Sequence, residues 1–221
     1  MYTTPDAVKR FLGLTWEVEI DSIVNEMILA SQEYIENYCG DERFGKRRFL
    51  LPENEDDARE ERHFDGSGNK RLYFGDALRI TEVMVDGEVL DSDKYFMYPA
   101  NASETENHTY LEMSQKGEAR IFPVGQQNVR LTGDFYYSAL LPKDILVASM
   151  KIIGGIIGEH KDIDVKEVTA ENLGDYRVTY QTLDKAVNRL GIADILKPYV
   201  RTPEEGAEDD TPRATVGLRQ I

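Results

Sequence analysis

The apolar periodicity of this chain changes twice, and that limits the fold more than any other feature. Up to Gly40 the apolar residues recur at helical spacing. Ile20, Ile23, Val24, Met27, Ile28, Ser31, Tyr34, Ile35 and Tyr38 follow one helix face that Asp21 opens. Before it, Thr4 is an N-cap, Pro5 suits the first helical position and Gly13 is a stop. From Arg62 to Tyr137 the pattern becomes short apolar runs between turn signals. These runs are Leu72–Phe74, Ile80–Val85, Tyr95–Tyr98, Tyr110–Met113, Ala119–Phe122 and Val129–Tyr136. Asp86-Gly87 is a two-residue hairpin signal inside this region. Helical spacing returns at Pro142 and runs through Ile145, Ala148, Ile152, Ile153, Ile156 and Ile157. The expected class is α+β: a helical-bundle body with an inserted antiparallel β-module and a flexible acidic C-terminal tail. The expected division is 1–61 and 138–202 for the body, 62–137 for the β-module and 203–221 for the tail.

Four stretches suggest surfaces that other chains complete. Leu173-Gly-Asp-Tyr-Arg-Val-Thr-Tyr180 alternates, with Tyr176, Val178 and Tyr180 on one face and Asp175 on the other. Read as a strand over 174–180, it has no hairpin partner nearby. Its backbone groups need either the chain's own sheet or another chain. Gly154, Gly155 and Gly158 interrupt the apolar helix at 143–160. They permit close approach of another backbone, or they mark a kink. Tyr34 and Tyr38 could reach a neighbour. The acidic run after Thr202 cannot build a core, yet the chain closes with Val216, Leu218 and Ile221 beside Arg213 and Arg219. Such an ending either orders on a partner or stays unused.

Charge and chemistry exclude more than they assign. The 221 residues carry a net charge of −15, which argues against a general nucleic-acid binder. With 41% hydrophobic and 30% charged residues the chain should fold. One cysteine, Cys39, precludes an internal disulfide and sits on a core-facing helical position. No basic-apolar leader or long apolar span is visible, so a reducing, intracellular place of synthesis is expected. Arg43, Lys46, Arg47 and Arg48 form a basic cluster, read as a solvated loop or a partner-facing patch. His63, His108 and His160 lack metal-ligand spacing. Asp65, Ser67 and Asn69, with Asp76 downstream, imitate a calcium loop, but Lys70 stands where the sharp turn needs glycine. A glycine-rich turn is the preferred reading. No catalytic residue, cofactor or metal is assigned.

Several of these segments, in this order, resemble the head-tail connector proteins of tailed bacteriophages, also called adaptor or head-completion proteins. The likeness rests on Tyr34-Ile-Glu-Asn-Tyr-Cys-Gly40 with Arg43-Phe44, then Phe64-Asp-Gly-Ser-Gly68 and Ile80-Thr-Glu-Val-Met-Val-Asp-Gly87. It continues through Asp93-Lys-Tyr95, Tyr98-Pro99 and Leu173-Gly-Asp-Tyr-Arg-Val-Thr-Tyr180. It spans most of residues 4–200. The resemblance implies a non-enzymatic virion protein made in the host cytoplasm. It implies a homo-oligomeric ring, a dodecamer by family likeness, between the portal protein and a stopper or tail-completion protein. DNA would pass through the channel without specific binding, and no membrane is involved. The rival expectations are a β-module ligand-binding protein, for a sugar or calcium, and a carboxylate-based hydrolase.

Overall fold

The structure, a computed structural model, describes residues 1–52, 54–102, 106–114, 121–159, 167–168 and 180–201. In chain order come α1 (Pro5–Leu12), β1 (Thr15–Trp16), a 3-10 turn (Val18–Ile20) and α2 (Asp21–Cys39). The helical turn α3 (Glu55–Ala58) precedes β2 (Arg59–Gly66), β3 (Arg71–Ala77), β4 (Arg79–Val85) and β5 (Glu88–Val89). β6 (Tyr95–Tyr98), β7 (His108–Met113) and β8 (Gly125–Asp134) follow. Then come α4 (Lys143–Glu159), β9 (Glu167–Val168), α5 (Tyr180–Arg189), α6 (Ile192–Leu196) and a 3-10 turn (Lys197–Tyr199).

These elements form two compact units. One comprises Met1–Cys39 and Leu141–Val200; the other comprises Gly40–Leu140 and takes in Arg201. In the first, α1 starts as its sequence dictates. The Thr4 hydroxyl accepts from the Ala7 amide at 3.3 Å, and Gly13 closes the helix at φ 67°. The stripe of α2 is buried at Val24, Met27, Ile28, Ser31, Tyr34, Ile35 and Cys39. On α4, Ile145, Ala148, Ile152, Ile153 and Ile156 are fully buried. Each such isoleucine contributes about 1.5–3 kcal/mol of burial free energy. Two polar groups share this interior: the Ser31 and Ser149 hydroxyls lie 2.8 Å apart, and Ser31 also donates to the Ile28 carbonyl. Their mutual bond removes the penalty of burying hydroxyls without partners.

The second unit holds two antiparallel sheets, ordered β2-β8-β4-β5 and β3-β7-β6. Asp86 (φ 52°) and Gly87 (φ 85°) form the tight turn between β4 and β5. One core draws on both sheets: Leu72, Phe74, Ile80, Val83, Leu111, Met113, Val129, Leu131 and Phe135, with Phe122 from a loop.

The expected helical-bundle body is corrected. The structure is 37% helical and 31% strand, a mixture of helix and antiparallel sheet. Even the unit built from Met1–Cys39 and Leu141–Val200 contains a parallel pair, β1 with β9, which joins Thr15 to Glu167 and Trp16 to Val168. The β-containing unit runs from Gly40 to Leu140. Its first strand, β2, alternates among charged residues, Arg59 to His63, which hydrophobic periodicity does not register. The run at Ala119–Phe122 gives no strand at Ile121 or Phe122; residues 119 and 120 lie outside the described residues.

Candidate functional site

The densest polar construction among the described residues is built around Asp76 in the β unit. The pairing of β3 with β7 shifts register between Tyr73 and Ala77. Gly75 sits in this irregularity at φ 86°, a conformation that other residues adopt only with strain. A Cβ on Gly75 would lie 3.1 Å from Phe44 and 3.5 Å from the Arg201 guanidinium carbon. Glycine therefore lets both side chains close over β3.

The bulge turns Asp76 inward, leaving it 3% exposed. Arg47 grips the carboxylate with two bonds, Nε to Oδ2 at 3.0 Å and Nη2 to Oδ1 at 2.9 Å. Arg201 adds Nε at 3.1 Å and Nη2 at 2.6 Å, both to Oδ2. The Asn107 amide donates to Oδ1. Arg201 also donates to the Gly45 carbonyl at 3.3 Å and lies 3.7 Å from Asp41. With five donors on its two oxygens, Asp76 has no free lone pair to offer a cation. The group is a lock that ties residues 47, 76, 107 and 201 together.

A second charged cluster lies on β2. Glu60 accepts from Arg48 and, at 3.1 Å, from Arg62 Nη2. Arg62 also lies over the Phe135 ring at 4.2 Å. Burial pushes the Glu60 pKa up, but the hydrogen bond and charge of Arg48, then Arg62, outweigh it, and the carboxyl is held below its ordinary value of 4.5. A depressed carboxylate pKa stabilises the fold fully above the unfolded value and ceases to do so as pH falls through the folded one. We expect Glu60→Gln to be less stable than the parent by about 1 kcal/mol near neutral pH. The gap should close as pH drops below about 4.5. Urea midpoints that differ equally across this range would exclude the ion pair as the cause.

The basic cluster at 43–48 is thus not simply solvated. Arg47 and Arg48 are consumed by Asp76 and Glu60, whereas Arg43 stays exposed. The calcium reading also meets contrary geometry. Asp65 accepts from the Gln127 amide at 2.7 Å, and Asp76 faces arginines. No group of three or more His, Cys, Asp or Glu among the described residues is arranged to hold a metal ion.

The residues singled out by sequence are scattered. Tyr34 is 6% exposed and donates to the Asp184 carboxylate at 2.6 Å. Burial, then this bond, pushes its phenol pKa well up. Tyr38 stacks on Tyr34 at 6.0 Å and remains 39% exposed. At Gly154 a Cβ would lie 2.7 Å from Leu12 of α1, so this glycine serves the unit's own packing. The Gly155 carbonyl accepts from Arg189 at 3.2 Å. Gly158 is exposed, with open space where a Cβ would stand. Gly154 and Gly155 also line a shallow groove of about 280 Å³ with Phe11, Leu12, Lys151, Arg189 and Leu190. Asp175, Tyr176 and Val178 lie outside the described residues, as do Val216, Leu218 and Ile221. Tyr180 is a correction: instead of ending a strand it is the first residue of α5.

The Asp76 lock was missed by sequence reading. Its partners are 29, 31 and 125 residues away, and no local spacing marks them. Among the described residues no helix is long and apolar enough to cross a membrane. A scan against protein-family models finds no match, and a search of curated proteins finds no significant one.

Proposed function

We propose that the chain is a structural subunit of a phage head-tail connector. It would form a ring on the portal protein, prolong the DNA channel and offer a docking surface to a stopper or tail-completion protein. The observation that carries this reading is the order of the resembling segments, from Tyr34–Gly40 to Leu173–Tyr180. The division of the chain supports it: one unit joins Met1–Cys39 to Leu141–Val200, and Gly40–Leu140 of the β unit lies between them in sequence. A ring subunit needs two different surfaces that meet head to tail. The groove beside Gly154 and Gly155, edged by the exposed Phe11 and Leu190, is a candidate for one of them. The stretch 174–180 is a candidate for the other.

The test is electron microscopy of the full-length protein mixed with the portal of the same phage. A ring with the portal's symmetry seated on one portal face is the expected image. Bare portals at saturating protein would overturn the reading. Within it, Tyr176→Ala with Val178→Ala should weaken ring formation on the portal while the subunit stays folded. Deleting 203–221 should lower portal capture in a pull-down.

A further inference from the structure

The groove beside Gly154 and Gly155 opens on the face of α4 that is turned away from α2. The two helices meet where the Ser31 and Ser149 hydroxyls lie 2.8 Å apart. Lys151 stands two residues after Ser149, which is about 200° around a helix. It lines the groove together with the two glycines. Helix α1 adds Phe11 and Leu12, and Leu190 follows α5 at the rim. Phe11 and Leu190 are exposed, so the groove is apolar at its edges. Among the described residues no hydrogen bond or ion pair engages the Lys151 ammonium.

Helix α2 carries a matching shape on its own far side. Leu29 stands two residues before Ser31, again about 200° round, so it points away from α4. It is 52% exposed. Glu26 and Glu33, three residues before it and four after, share that helix face and are exposed. Glu26, like Lys151, has no partner among the described residues. The result is a ridge, one leucine between two carboxylates on a long helix. Ridge and groove point in opposite directions across the α2–α4 layer. A head-to-tail joint needs this arrangement, because each copy shows one surface to one neighbour and the other surface to the next. Copies of net charge −15 repel one another, so a joint between them also needs local opposite charge. Val18, between Glu17 and Glu19, is more exposed still. Its turn, however, leads into Asp21, which Lys9 of α1 holds at 2.9 Å, so it stands beside the helix that lines the groove. A knob beside its own groove closes a two-fold pair and ends the series of contacts.

We propose that the α2 ridge of one copy enters the groove of the next. Leu29 lies among Phe11, Leu12 and Leu190, in the space of about 280 Å³. The Glu26 carboxylate pairs with the Lys151 ammonium across the joint. This rests on the connector reading, which supplies the ring, and it names what the groove holds. A stable joint buries about 800 Å² on each partner, more than one ridge covers, so it has room for the stretch 174–180 as well.

The test uses the full chain with its portal. Glu26→Lys and Lys151→Glu should each lower the amount of ring on the portal by about fivefold or more. Both changes in one chain should restore it, because every joint again pairs opposite charges. Loss without rescue overturns the proposal. So do rings that form unchanged in both single variants, and the connector reading then stands. A second measurement places Glu33→Cys and Gly158→Cys in one chain and bridges them with a short bismaleimide. Gly158 has open space for the new side chain, and Cys39 is fully buried. A ladder of covalent multimers is expected; products that stop at the dimer reveal a two-fold pair and overturn the proposal. Bare portals with the parent chain overturn the connector reading, and the ladder of the free chain then decides the ridge-in-groove contact by itself.

Discussion

Replacing Asp76 by alanine is expected to destabilise the β unit by about 3–5 kcal/mol. The substitution strands Arg47 and Arg201, whose side chains are only 11% and 10% exposed, without their shared carboxylate. Removing one member of a buried ionic group is costly because the remaining charges stay desolvated. Removing all members is not. The triple change Arg47→Met, Asp76→Leu, Arg201→Met should therefore lose much less than Asp76→Ala alone. The measurement is hydrogen exchange at Val129 and Leu131 on β8. The single tryptophan, Trp16, belongs to the other unit and does not report on this one. If the triple variant is the less stable of the two, the lock stabilises by attraction rather than by avoiding stranded charge.

Phe135→Ala should cost the β unit a comparable amount, about 3–5 kcal/mol. Phe135 is 2% exposed and meets Phe74 edge-on at 6.4 Å. Its loss opens a cavity in the core shared by both sheets and removes the ring under the Arg62 guanidinium. Burial already lowers the Arg62 pKa, so a guanidinium deprived of its ring becomes a further liability. Phe135→Leu keeps most of the volume and should recover at least half of the loss. Equal losses for alanine and leucine would place the effect in the cation-ring contact instead of the cavity.

What was legible in the sequence was local. Thr4, Pro5 and Gly13 bound α1 because a cap, a fixed φ and a left-handed stop act within a few residues. Asp86-Gly87 specified its hairpin for the same reason. The buried stripe of α2 followed from spacing alone. The failures were contacts that sequence proximity does not encode. β2 alternates between exposed and half-buried charges, and its half-buried Glu60 and Arg62 are tolerated only because each is paired. A run of charges looked like solvent, so the start of β2 went unread. Arg201, next to an acidic stretch, read as the end of folded structure, yet it is the last member of the Asp76 lock.

The placement of Arg201 also imposes a schedule. A ribosome delivers Asp76 125 residues before it delivers Arg201. At about 5–20 residues per second, that interval is roughly 6–25 s. Throughout it the nascent sheets must hold the carboxylate with Arg47 and, once made, Asn107. The β unit is thus sealed by a residue that is made only after Val200, the last residue of the other unit. A chain stalled or cut before residue 201 leaves the exit tunnel with its oldest sheets still unfastened.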